Sequence, residues 1–166
     1  MRMGRTLNLI TKEYSKAKLY KMKTIKVFSR GKELNPNLYE ELQELDKNNP
    51  NFKGCNNEFK VNRDWWVITS GNIIIGYCGC AFTEGLCIFV RAWVHKDYRG
   101  KGLQKKMIKL RIKSAYDCHT AITYTTIDNC PSANSLISQG FKFYTPEYAY
   151  GGKEMLYFQK EINESI

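Results

Sequence analysis

No apolar run in the chain is long enough to cross a bilayer as a helix, and the Arg- and Lys-dotted start is not followed by the apolar block of a secretory leader. A soluble, cytoplasmic protein with no membrane partner is the expectation. Paired-cysteine knuckles are missing as well. The six cysteines, Cys55, Cys78, Cys80, Cys87, Cys118 and Cys130, include no Cys-x-x-Cys, and Cys78 and Cys80 flank Gly79 in an apolar stretch whose strand periodicity turns both thiols to one face. Buried, reduced thiols are expected, with no metal site. Acidic residues are scarce: 16 Asp and Glu against 26 Lys and Arg leave a net charge of +10. That excess attracts polyanions, whether phosphate-bearing small molecules, nucleic acid or acidic protein surfaces, and does not choose among them.

What is present suits one domain. At 166 residues, with 13% aromatics, the chain can bury about two thirds of its unfolded surface in a core. Residues 1–22 are basic and weakly patterned and read as a partly ordered arm before a single domain over 23–162. The stretch 24–29 alternates like a first strand. Asn35-Pro36 opens a helix that carries Leu38, Leu42 and Leu45 on one face and stops at Asn48-Asn49-Pro50. After an irregular connection over 51–63, strands at 64–69 and 73–81 flank the turn Ser70-Gly71-Asn72, and a third strand runs over 86–94. A helix over 102–115 then leads to a strand over 119–127, which can lie parallel to 86–94 only through that helical crossover. A short helix over 132–139 and a closing hairpin of 141–144 with 154–160, joined by a long loop, complete the order. The fold class is α/β with a mixed sheet.

The stretch from Val90 to Gln104 organises the rest. It reads as a buried strand, a turn bearing Gly100 and Gly102, and the start of a basic helix. The first amides of a helix are unpaired and sit at the positive end of its dipole, and the two glycines let a ligand reach the backbone. Phosphate is the natural guest, with Arg99, Lys101, Lys105 and Lys106 crowded at the same end.

The run Tyr98-Arg99-Gly100-Lys101-Gly102-Leu103 after a hydrophobic strand resembles the acetyl-coenzyme A loop of the GCN5-related N-acetyltransferases, the GNAT family: Arg or Gln, two residues, Gly, one residue, then Gly or Ala. Arg99 and Gly102 fit, and Gln104 departs at the last position. Asn129 followed by a short helix ending in Gly140-Phe141 is similar to the family's other signature. The resemblance implies the GNAT-like acyl-CoA N-acyltransferase fold, a central twisted mixed sheet with helices on both faces. It implies acetyl-CoA as co-substrate, with the pantetheine arm between two splayed parallel strands, here 86–94 and 119–127. On that reading Trp93, Val94 and His95 line the arm, Arg99, Gly100, Lys101, Gly102, Leu103 and Gln104 hold the pyrophosphate, and Asn129 binds the pantetheine or holds the second strand's end. The connection over 51–63 falls where such enzymes often build part of the acceptor site. Ser132 is expected to cap the short helix.

Acetyl transfer needs a deprotonated amine, a polarised carbonyl and a proton for the leaving thiolate. The strand over 86–94 has no carboxylate, and the position where many family members place an acid Tyr is Ile137. Catalysis mainly by proximity is the expectation. Loop and strand candidates for acid or base are Tyr124, Tyr148, Tyr150, Glu84 and Asp64, the last two at hairpin ends on the presumed acceptor side. Arg91, in mid-strand, either pairs internally with a carboxylate such as Asp128 or faces an anionic acceptor. The acceptor is an amine of a small molecule or a protein. The alternative is a nucleic-acid-binding or nucleic-acid-modifying relative, suggested by the charge and by Lys105, Lys109 and Lys113 along one helix face.

Overall fold

A computed structural model describes residues 21–52 and 62–162. In chain order these form β1 (Met22–Ser29), β2 (Lys32–Glu33), α1 (Pro36–Lys47), β3 (Arg63–Ser70), β4 (Ile73–Thr83), β5 (Leu86–Val94), α2 (Leu103–Ser114), β6 (Thr120–Thr126), α3 (Cys130–Ser138), β7 (Lys142–Phe143) and β8 (Met155–Glu161). The strands make one sheet in the order β2-β1-β3-β4-β5-β6-β8-β7. Among the described residues only β5 and β6 pair in parallel, and α2 supplies the crossover between them.

Both sheet faces are covered, so the central strands read as nearly continuous apolar runs. On one face Trp66, Ile68, Phe89 and Phe158 pack against Leu103, Met107 and Ile108 of α2 and Leu136 of α3. On the other, Trp65, Val67 and Tyr77 pack against Tyr39 and Leu42 of α1. Each fully buried side chain of this kind stabilises the fold by ~1.5–3 kcal/mol. Gly79 on β4 is part of the second layer: a Cβ there would lie 2.6 Å from the Trp65 ring, so the ring rests directly on the backbone.

Element ends differ from the sequence expectation by a few residues. β1 takes up Met22 and Lys23, β4 runs on to Thr83, and α3 begins at Cys130. The cap of α3 is Asn129, whose side chain accepts from the Ser132 amide at 3.3 Å, so Ser132 is not the capping residue expected. Pro131 explains the shift, because its fixed φ and missing N–H suit the first turn of a helix. At α1 the expected start holds, with the Asn35 side chain accepting from Leu38 at 3.2 Å. The expected arm, apart from its last two residues, and most of the 51–63 connection, Cys55 included, lie outside the described residues. Among the described residues no helix is long and apolar enough to cross a membrane.

Candidate active site

β5 ends at Val94, and the chain is fastened there before it turns. The His95 amide donates to the Ile75 carbonyl at 2.8 Å. The His95 ring Nδ1 accepts from the Asp97 amide at 3.2 Å and starts a single helical turn over Lys96–Tyr98. Arg99 folds back, its Nε donating to the Val94 carbonyl at 3.1 Å. Gly100 and Gly102 then adopt φ of 74° and 78°, left-handed values that glycine tolerates. Gly102 caps α2 with no side-chain hydrogen bond, so the first amides of the helix have neither an intrahelical acceptor nor a side-chain cap. A Cβ placed on Gly100 or Gly102 would meet nothing within 4 Å, which leaves the backbone open to an approaching group. Lys101, Lys105 and Lys106 stand exposed around this open end. Open amides, dipole and cations together fit a diphosphate.

The second feature is a parting of the sheet. β5 and β6 pair only at Leu86↔Thr120, Cys87↔Ala121 and Ile88↔Ile122. Beyond Ile88, β5 stays with β4 and β6 stays with β8. A bulge at Arg91 marks the parting: Val90 pairs with Gly79 and Ala92 with Cys78, leaving Arg91 between them at φ 51°. Trp93 and Val94 lie on the free stretch of β5, their side chains on opposite faces; Trp93 packs on Tyr77, ring centroids 5.6 Å apart.

Across the parting stand tyrosines. Phe158 faces α2 and α3, so its neighbour Tyr157 and the cross-strand partner Tyr124 lie on the α1 face of the sheet. Tyr150, from the closing loop, sits against both, with ring centroids 5.7 Å from Tyr124 and 5.1 Å from Tyr157. Its hydroxyl donates to the Thr123 carbonyl at 3.2 Å and accepts from the Tyr144 hydroxyl at 3.1 Å. Thr123 is the first β6 residue past the last parallel pair. Burial, reinforced by Tyr144, pushes the Tyr150 phenol well above its ordinary range, so it keeps its proton. Gly151 has no room for a side chain: a Cβ there would lie 2.6 Å from the Tyr124 ring.

The remaining sequence candidates are dispersed. Tyr148 is 79% exposed at the tip of the same loop. Asn129 serves as a helix cap beside the end of β6. Glu84 occupies the β4–β5 turn, at the end of β5 where the strands are still paired. Asp64 lies at that closed end too, fully buried; it pairs with Lys26 at 2.8 Å and accepts from the Ser114 hydroxyl and the Arg30 amide. Both carboxylates therefore stand toward the end of β5 where it still pairs with β6, away from the parting. Arg91 does pair internally, but with Asp46 of α1 at 3.2 Å and not with Asp128, since α1 packs under β4 and β5.

Sequence reasoning missed Asp46, Tyr77 and Arg111. Asp46 is 1% exposed and Arg111 3%. Arg111 had a signal: it follows Met107 by four and Ile108 by three, which puts a cation in the apolar stripe of α2. Among the described residues no cluster of His, Cys, Asp or Glu could hold a metal ion. Burial raises the Cys78 and Cys118 thiols to about 11, which keeps them inert, whereas Cys130 is exposed.

An open amide turn feeding a helix thus stands beside a parted parallel pair, at the end of one strand. Residues 62–144 match the family model of the acetyltransferase (GNAT) domain, and the chain belongs to the GNAT acetyltransferase family. It is an acetyltransferase that uses acetyl-CoA, as the two motifs imply. No curated protein matches the sequence. Among solved structures, a GNAT-family acetyltransferase of Staphylococcus aureus is similar over 86% of this chain and 100% of its own, with a TM-score of 0.66 and 15% identity. A Klebsiella pneumoniae protein assigned as an acyl-CoA N-acyltransferase is similar over 87% and 99%, with a TM-score of 0.59 and 16% identity. A Salmonella typhimurium protein assigned as an acetyltransferase, solved with its cofactor acetyl-CoA, is similar over 79% and 74%, with a TM-score of 0.53 and 17% identity. These likenesses concern the fold.

Proposed function

We propose that acetyl-CoA lies with its diphosphate on the amides of 100–104 and its pantetheine arm along Trp93–His95, and that an amine enters the parting to take the acetyl group. One observation carries this reading: the open amide turn and the parting lie at the end of the same strand, β5, so a single extended ligand spans both. The arm replaces the missing strand partner, which supplies acceptors and donors for backbone groups that β5 and β6 no longer give each other. Holding thioester and amine in contact removes several kcal/mol of the barrier by proximity alone.

Attack by the amine nitrogen forms the new C–N bond, the C–S bond breaks, and the thiolate needs a proton. Tyr150 is the donor we assign. Its hydroxyl sits where β6 leaves β5 and has Tyr144 behind it as a second hydroxyl that can pass a proton on. The amine loses its own proton to water, since β5 offers no carboxylate. Calorimetric titration with acetyl-CoA tests the reading; a protein that takes up no acetyl-CoA at large excess refutes it.

A second reading keeps one observation. Lys105, Lys109 and Lys113 are exposed along one face of α2, a helix with no acidic residue. That stripe suits a polyanion, and binding of RNA or DNA that falls steeply with salt is its signature.

A further inference from the structure

The mechanism above leaves the Arg91 bulge unexplained. A side-chain-bearing residue at φ 51° is strained and persists only where its surroundings hold it. Two buried groups hold it, one from each face. From the α1 side, Asp46 Oδ1 accepts from Arg91 Nε at 3.2 Å and from the Tyr77 hydroxyl at 2.8 Å. Asn49 donates to that hydroxyl at 3.0 Å, and the Arg91 guanidinium lies 4.8 Å from the Phe52 ring centroid. From the α2 side, Arg111 donates through a terminal nitrogen to the Arg91 carbonyl at 3.3 Å. Arg111 is itself fixed by Nε to the Met107 carbonyl at 3.1 Å and by stacking 3.9 Å over Phe89, the residue just past the last parallel pair.

We propose that Asp46 and Arg111 are positioning residues that clasp the Arg91 bulge from the two faces of the sheet and so fix the width of the β5–β6 parting for the pantetheine arm. Stability is a poor account of this arrangement. Buried ion pairs are often no better than apolar packing, and Asp46 Oδ2 has no hydrogen-bond partner among the described residues, a cost a core built only for stability avoids. What the clasp does supply is a fixed backbone at the point where the strands separate. Both helices that flank the parting meet there, through one residue.

The inference rests on the acetyl-CoA reading, and the test separates the two. The full chain is titrated calorimetrically with acetyl-CoA and with 3′-phospho-ADP, the part of the coenzyme that reaches the amide turn but lacks the arm. Asp46→Asn and Arg111→Met should weaken acetyl-CoA by about tenfold. Binding of 3′-phospho-ADP should stay within about twofold, because the bulge lies inside β5 and its contacts do not include the amides of the turn. Arg91→Ala should behave like them, whereas Arg91→Gly, which adopts the left-handed φ without strain, should recover most of the loss. The Ala and Gly pair gives an answer even where Asp46→Asn fails to fold. Parallel losses for both ligands, or unchanged acetyl-CoA affinity in folded variants, overturn the clasp. Wild-type protein that binds neither ligand overturns the acetyl-CoA reading, and the clasp with it.

Discussion

The seams between β4 and β5 and between β6 and β8 are long, and the seam between β5 and β6 is short. β4 and β5 are joined by eight residue pairs, from Gly76↔Val94 to Thr83↔Leu86, and β6 and β8 by seven, whereas β5 and β6 share three. The one sheet therefore has two well-stitched halves joined by a short parallel seam. The features assigned to chemistry border that seam: the amide turn and Trp93–His95 beyond its end on β5, and Tyr150 where β6 leaves it. The halves are held by burial and can be rigid; the seam has backbone to spare and can receive a ligand.

The largest effect belongs to the amide turn. Gly102→Val should weaken acetyl-CoA by about a hundredfold while circular dichroism shows the sheet intact, because a branched side chain fills the open approach to the amides. Retained affinity would place the phosphates elsewhere. Within a stitched half, Gly79→Ala should lower stability by ~2 kcal/mol in urea denaturation, since the new methyl must displace the Trp65 ring, with acetyl-CoA affinity unchanged in the folded fraction. At the seam again, Tyr150→Phe should cut turnover by about tenfold with little change in the apparent affinity for acetyl-CoA. The wild-type rate should hold through the ordinary phenol range near pH ~10, because the raised phenol keeps its proton there.

The smallest effect belongs to a surface pair. Arg30 makes two contacts with Asp117, of 2.6 and 2.7 Å, and its hydrogen bond holds that carboxyl down at about 2. A depressed carboxyl stabilises the fold above its unfolded value and loses that contribution as pH falls, here between 3.8 and about 2. Asp117 is half exposed, so Asp117→Asn, which leaves the other Arg30 contacts in place, should cost only ~0.5 kcal/mol, and the difference from wild type should fade in that acid window.

The stitched halves were largely legible in the sequence and the seam only partly. Alternation and turn residues located every strand of β3–β5 to within two residues, because both signals are local. The amide turn was legible for the same reason: Gly100, Gly102 and the helix after them are contiguous. Arg91 marked itself as a misplaced charge, but its partner was not readable, because Asp46 comes from a helix 45 residues earlier and its burial depends on α1 docking under Tyr77. Asp46 follows Leu42 by four in α1 and could have been placed on the buried face. Tyr150 was one tyrosine among several until the loop folded its hydroxyl onto Thr123. Non-local packing decides such positions, and periodicity does not report it.

Gly151 bears on how this protein can change. A single hydrogen in place of a methyl lets the Tyr124 ring lie on the loop backbone next to Tyr150. Positions 124 and 151 therefore share one volume, and neither can be enlarged alone. In any descendant that gains a side chain at 151, the ring at 124 has to shrink or swing away, and the neighbouring phenol loses its wall in the same step.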